Sequence, residues 1–193
     1  MGGWTEVIIE FAVIALVLLF GYIVFRVVVR RDYERYGRLK AGAVALEFFI
    51  FAAHANLCYL FLPVPWPELP PLPPNKLQLI VGLGLAALGV LLTLWTMSRL
   101  GFKKACGQSS DKLHIVGFYR WSRNPQLVFY GLVLLGLVAL WPAPYAIIWL
   151  LVYAVLSLWM VRSEEEHLVR IFGVEYQRYC EQVGRFIPRI FSR

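Results

Sequence analysis

Two short polar stretches carry the side chains best suited to binding a charged small molecule. The first covers residues 117–126 and lies between two apolar runs. Its arginines, Arg120 and Arg123, offer forked guanidinium donors that match an anionic group. Asn124 is expected to cap the next helix, and Pro125 to occupy its first position. The second stretch, residues 162–166, follows the last apolar run and contains three consecutive glutamates.

Both stretches also have a purely structural interpretation. Arginines beside an apolar run are typical of a cytoplasmic loop, and glutamates suit the positive end of a helix dipole. Ser163 and Glu166 form a capping-box pattern, which predicts the start of a fresh helix. The residues alone leave open whether these stretches bind a ligand or only begin and end helices.

The elements that must position the two stretches are apolar, since 60% of the 193 residues are hydrophobic, against about half in a soluble domain. A helix that crosses a membrane needs about 20 apolar residues. Five runs approach or reach that length: 7–29, 41–62, 77–97, 125–141 and 145–161. We therefore predict an all-α polytopic membrane helix bundle of five transmembrane helices, forming a single domain over residues 1–193.

Turns between the predicted spans follow from proline. The segment 63–75 is proline-rich and cannot be helical, and Pro142 and Pro144 force a tight reversal between the last two spans. After the last span, apolar residues recur at helical spacing, which predicts a C-terminal helix packed on the membrane surface or on the bundle. They are Leu168, Phe172, Tyr176, Tyr179 and Val183.

The distribution of basic residues predicts the orientation. Of the 19 Lys and Arg residues, all except Lys76 lie at the end of the first span or after it, after the third span, or in the tail. Because cytoplasmic loops are enriched in Lys and Arg, the N-terminus is expected outside and the C-terminus with its helix in the cytoplasm. Both polar stretches then face the cytoplasm. This clustering argues against a nucleic-acid surface, and the three cysteines form no metal or disulfide pattern.

Polar and glycine residues inside the predicted spans have two interpretations. Glu47 and His54 lie on one face of the second span, and a buried ionisable residue in a membrane is a functional candidate by default. Alternatively, Glu47 reaches water at the cytoplasmic end and His54 bonds to a neighbouring helix. Gly82, Gly84 and Gly89 in the third span indicate close helix packing.

The two stretches, taken in order with the tail, resemble the isoprenylcysteine carboxyl methyltransferase and phospholipid methyltransferase-like family of membrane enzymes. The resemblance covers the C-terminal half, about residues 98–193. The motifs are Gly-x-Tyr-Arg, Arg-Asn-Pro, Glu-Glu-x-x-Leu, Phe-Gly-x-x-Tyr-x-x-Tyr and Arg-x-x-Pro. They comprise Gly117, Tyr119, Arg120, Arg123, Asn124, Pro125, Glu164, Glu165, Leu168, Phe172, Gly173, Tyr176, Tyr179, Arg185 and Pro188.

The resemblance implies a methyltransferase that uses S-adenosyl-L-methionine and acts on a membrane lipid or lipidated substrate, without a metal. It implies that the Arg-Asn-Pro and Glu-Glu regions line a cofactor pocket, which the tail closes. The catalytic residues would be Glu164, Arg123 and Arg162. The cofactor-binding residues would be Gly117, Tyr119, Arg120, Arg123, Asn124, Pro125, Glu164 and Glu165.

Three positions depart from the family pattern. Asn124 stands where many members have His, and Leu127 replaces a frequent Tyr. Met160 stands where members that act on prenylcysteine carry an Arg, so Arg162 would have to substitute for it. This last departure weakens the prenylcysteine assignment specifically and leaves cofactor binding less affected.

Two other functions remain open at this point. The C-terminal half is also similar to membrane reductases of sterol-like or enone substrates, which would use NADPH. A non-enzymatic membrane adaptor is the third possibility. The small size of the chain disfavours the reductase, and the presence of Arg123, Glu164 and Glu165 disfavours the adaptor.

Overall fold

The protein is seen here in a computed structural model that describes residues 3–57, 68–101, 104, 106–108 and 112–189. Within these ranges the structure is helical, and β pairing is limited to an isolated bridge between Ser122 and Gly184. The α-helices are α1 (Gly3–Tyr22), α2 (Arg30–Tyr36), α3 (Ala41–Leu57), α4 (Lys76–Leu100), α5 (Pro125–Leu140), α6 (Pro144–Phe172) and α7 (Val174–Gln182). The predicted all-α fold is confirmed.

The first helix is longer than predicted. A π-helical segment, Ile23–Val29, joins α1 to α2 without a break, so the helix continues past residue 29 to Tyr36. Arginine is a good helix former, and an ion pair at 2.9 Å between Arg30 and Glu34, four residues apart, supports the extension. The helix ends at Gly37, whose φ of 64° is the left-handed conformation that glycine adopts readily.

The predicted helix start at Ser163 was wrong, because α6 passes through this position and continues to Phe172. Ser163 is fully buried, and its hydroxyl donates to the carbonyl of Phe25 at 2.7 Å. It also accepts from Arg26 at 3.1 Å, so it joins two helices and does not cap one. The break comes at Gly173, with φ of 51°, and α7 follows.

Three helices are long and apolar enough to cross a membrane: Val7–Tyr36, Lys76–Leu100 and Pro144–Phe172. Two shorter apolar helices, Ala41–Leu57 and Pro125–Leu140, accompany them. These helices indicate an integral membrane protein. The tight reversal between the last two predicted spans is confirmed, since only residues 141–143 separate α5 from α6. The number of spans and the orientation stay predictions, and residues 58–67 lie outside the described ranges.

Glycines allow α4 and α5 to approach closely. A Cβ added at Gly89 would lie 2.7 Å from the Phe129 carbonyl oxygen, and one at Gly136 would lie 2.7 Å from that of Gly82. The prediction of close packing is confirmed for Gly82 and Gly89. It was wrong for Gly84, since a Cβ there would meet no described atom within 4 Å.

Helix α3 is tied to α6 by a pair of reciprocal contacts. A ring nitrogen of His54, Nε2, lies 2.9 Å from the Trp149 carbonyl oxygen, and the Trp149 indole donates to the His54 carbonyl at 2.8 Å. The two rings also stack, with centroids 5.2 Å apart. The interpretation of His54 as an interhelical bonding residue is therefore confirmed.

Candidate active site

The segment between α4 and α5 holds the first polar stretch against the tail. A 3-10 turn, Gly117–Arg120, begins at Gly117 with φ of 61°. The chain then pairs with the tail, where the Arg123 amide donates to the Gly184 carbonyl at 3.0 Å. This pairing fixes the start of α5 relative to residues that follow α7.

Asn124 plays a different part from the one predicted. Its side chain makes no cap hydrogen bond to α5; its Nδ2 instead donates to the Arg185 carbonyl at 3.1 Å. Its backbone carbonyl still accepts from the amides of Leu127 and Val128, and Pro125 occupies the first turn as predicted. Pro125 therefore stands in the first turn of a helix without a side-chain cap, while the buried Asn124 side chain bonds to the tail.

A carboxylate on α6 joins the first stretch to the tail. Glu165 Oε1 lies 2.7 Å from Arg123 Nη2, and Glu165 Oε2 accepts from Arg185 at 2.6 and 2.9 Å. The Arg123 and Glu165 side chains are only 9% and 12% exposed, whereas Arg185 is 37% exposed. The Arg123 contact is a close ion pair without hydrogen-bond alignment, and Arg123 Nε is a buried donor with no acceptor among the described residues.

A cavity lies beside this arginine–glutamate cluster. Its interior volume is about 70 Å³, and it opens to the outside. Its polar lining includes Lys104, Lys112, Tyr119, Arg123, Asn124, Gln126, Glu164 and Glu165. Its apolar lining includes Leu100, Leu113, Leu168 and Phe172. Together with Tyr33 of α2 and Tyr176 and Tyr179 of α7, these residues bring helices α2, α4, α5, α6 and α7 and the segment before α5 to one space.

Tyrosines in the cavity wall act as neutral groups. The Tyr179 hydroxyl donates to the Tyr119 carbonyl at 2.6 Å, and the Tyr119 hydroxyl donates to Gln126 Oε1 at 2.9 Å. Burial raises the pKa of Tyr119, Tyr176 and Tyr179 well above the usual tyrosine value. They can therefore donate hydrogen bonds but do not act as bases at neutral pH.

Glu164 differs from its neighbour Glu165. Glu165 is neutralised by two arginines, whereas Glu164 has no hydrogen-bond or ion-pair partner within the part of the chain that the structure describes. It lines the cavity and is partly exposed to it. The cavity therefore has lysines and Arg123 on its wall together with one carboxylate that no described residue neutralises.

The structure brings five of the nine predicted site residues to this cavity: Tyr119, Arg123, Asn124, Glu164 and Glu165. The other four, Gly117, Arg120, Pro125 and Arg162, do not line it. Arg120 and Arg162 are exposed, and Pro125 is buried at the helix start. The expected juxtaposition of Arg123 with the glutamates is observed, although the direct partner is Glu165 and not Glu164.

Sequence reasoning missed several cavity residues. Tyr33 on α2 and His167 on α6 stack with their ring centroids 4.1 Å apart, and both line the cavity. Arg185 was noted only as part of a motif, although it completes the clamp on Glu165. Lone tyrosines and lysines in polar segments carry no spacing signal, so Tyr33, Lys104 and Lys112 could not have been found without the fold.

Comparison with known protein families gives one match, over residues 77–175, to the family described as phospholipid methyltransferase. The matched region covers just over half of the 193 residues and runs from α4 to the start of α7. It includes the cavity residues Arg123, Glu164 and Glu165. No curated protein and no solved structure matches the chain.

Proposed function

The chain belongs to the phospholipid methyltransferase family, and on that premise we propose that it transfers a methyl group from S-adenosylmethionine to the amine of a membrane lipid. The observation that carries the proposal is the presence, in one cavity, of a buried guanidinium donor without an acceptor and a carboxylate without a partner among the described residues. These belong to Arg123 and Glu164.

The residues of the cavity fit this cofactor by charge. S-adenosylmethionine carries a carboxylate, an amino group and a positively charged sulfonium. The Arg123 guanidinium would donate to the carboxylate, with Lys104 and Lys112 adding positive charge to the cavity lining. Glu164 would face the positive groups. Tyr119 and Asn124 line the same space and would shape it around the ligand.

Glu165 has a supporting role in this proposal. It holds the Arg123 guanidinium in place through the 2.7 Å contact, while Arg185 occupies its other oxygen. Because both side chains of the Arg123–Glu165 pair are nearly buried, the guanidinium has little freedom to rotate away. A donor held in advance binds its ligand without paying the cost of ordering.

Methyl transfer needs alignment of the acceptor and exclusion of water. Bound in the cavity, S-adenosylmethionine would supply an electrophilic methyl group. An apolar wall keeps water away. It is formed by Leu168 and Phe172 on α6 and by Leu113 in the segment between α4 and α5. The lipid acceptor would enter from the bilayer, with its headgroup directed towards Glu164.

The acceptor is assigned as an amine for a specific reason. A prenylcysteine carboxylate would need its own arginine, yet Met160 stands at the position concerned. Arg162, the proposed substitute, is exposed and does not line the cavity. An amine instead suits the unpaired Glu164. The family match likewise favours methyl transfer over the reductase and over a non-enzymatic adaptor.

Calorimetric titration of the purified protein in detergent tests the choice of cofactor. We expect S-adenosylhomocysteine to bind with a Kd in the micromolar range, about that of ordinary substrates and cofactors. NADPH should give no heat of binding at the same concentrations. Binding of NADPH without binding of S-adenosylhomocysteine would replace this proposal with the reductase.

A further inference from the structure

A second, smaller chamber adjoins the cavity. Its interior volume is about 10 Å³, close to the room that one water molecule needs, and it is lined by Tyr33, Glu47, Gly107, Met160 and Glu164. Tyr33, Gly107 and Glu164 line both spaces, so the chamber and the cavity share a wall at these residues. Glu47 lines only the chamber. It comes from α3, which lies outside the region of the family match.

Glu47 is an unusual residue for this position. It is 7% exposed and has no hydrogen-bond or ion-pair partner among the residues whose structure is described. A buried carboxylate without a partner is costly, so its presence points to a function. The titratable groups facing it are Tyr33 from α2, Cys106 from the segment after α4, and Glu164 from α6.

We propose that Glu47 and Glu164 form a carboxyl pair that shares one proton at rest and, after losing it to water, takes up the proton of the acceptor amine. This inference rests on the proposed function. Two carboxylates that line one small chamber cannot both be charged at low cost, so one proton stays between them. Glu164 faces the cavity and contacts the acceptor, while Glu47 acts through Glu164 as a positioning residue.

The role of the pair is to remove a proton from the acceptor before methyl transfer. A lipid ammonium has no free electron pair, so it must lose a proton before it can attack. Glu164, in the doubly ionised pair, takes that proton, and the pair then holds it between the two carboxyl groups with a single negative charge. The nitrogen lone pair then forms the N–C bond, while the C–S bond breaks and its electrons remain on sulfur. The methylated ammonium leaves, and the extra proton returns to water through the cavity.

Glu47→Gln tests the pair, because it preserves the size of the side chain and removes its ability to ionise. Without the second carboxylate, Glu164 ionises more easily and becomes a weaker base. We expect the acidic limb of the pH–rate profile to move down by about one pH unit, and turnover to fall about tenfold. The matched control is Glu175→Gln, which changes an exposed glutamate on α7. It should leave the pH–rate profile and the turnover unchanged.

Infrared spectroscopy provides a readout that does not need activity. The wild-type protein at neutral pH should show the carbonyl stretch of a protonated carboxylic acid. The band should be lost in Glu47→Gln and kept in Glu175→Gln. The wild-type spectrum decides the matter even if Glu47→Gln does not fold, since absence of the band in wild type overturns the pair.

Titration with S-adenosylhomocysteine separates this inference from the proposed function. Glu47→Gln should bind the compound like wild type, because Glu47 does not line the main cavity. If Glu47→Gln binds and turns over with an unchanged pH profile, the pair is refuted and the proposed function stands. If wild type neither binds the compound nor transfers methyl groups, the proposed function fails, whatever the infrared result.

Discussion

Replacing Glu165 by glutamine should destabilise the protein far more than removing Arg185, the more exposed of its two partners. The substitution leaves the Arg123 guanidinium, which is 9% exposed, without a counter-charge. Removing one partner of a buried ion pair costs about 3–5 kcal/mol. Since 1 kcal/mol corresponds to about 2–4 °C in a chain of this size, we expect Glu165→Gln to lower the Tm by about 10 °C.

Removing Arg185 should cost less stability, because water screens the ion pair between Arg185 and Glu165. Arg185 is 37% exposed, so despite contacts of 2.6 and 2.9 Å to Glu165 its removal should cost only about 1 kcal/mol. In a Glu165→Gln background, Arg185→Ala should add almost nothing, because the pairing oxygen has already gone. Thermal unfolding in detergent, followed by tryptophan fluorescence, measures all three variants. Glu181→Gln, an exposed acid on α7, is the control. Equal and small losses for Glu165→Gln and Arg185→Ala would refute the idea that Glu165 holds a buried clamp.

Three other predictions use matched positions. Arg123→Ala should lower the affinity for S-adenosylhomocysteine at least tenfold by calorimetry, whereas Arg120→Ala, an exposed arginine outside the cavity, should bind like wild type; equal affinities would contradict the assigned site. Gly136→Ala should lower the free energy of unfolding by about 1–3 kcal/mol, seen as a lower Tm, because α4 and α5 meet there, and Gly84→Ala should not lower it. A single cysteine at position 70 should be labelled by an impermeant reagent from outside and one at position 120 only from the cytoplasm, and labelling of both from one side would refute the orientation.

The sequence predicted the helices well and their ends less well. Proline fixed the start of α5 and the turn before α6, since it cannot continue a helix from within. The capping pattern at Ser163 led to a wrong helix start, because a serine hydroxyl can bond either to its own helix or to a neighbouring helix. Here the neighbour is the Phe25 carbonyl in the π-helical segment, and a local pattern contains no information about it.

The candidate site was predictable only where motifs marked it. Arg123, Glu164 and Glu165 were found from the ordered motifs, and the antiparallel α5 and α6 place them near each other. The sequence could not predict that Glu165 pairs with the arginines while Glu164 stays unpaired, because this depends on the direction in which each side chain leaves α6. Glu47 was noticed as a charge inside an apolar run, but its place beside Glu164 requires the packing of α3 against the rest of the bundle.

The most direct test of the central claim is methyl transfer itself. Purified protein is reconstituted in liposomes that contain phosphatidylethanolamine, supplied with S-adenosylmethionine carrying a deuterated methyl group, and the lipids are analysed by mass spectrometry. The account predicts a headgroup amine that gains deuterated methyl groups with wild type and gains none with a folded Glu164→Ala variant. Unmodified lipid with wild-type protein that binds S-adenosylhomocysteine, or full turnover with Glu164→Ala, would contradict it.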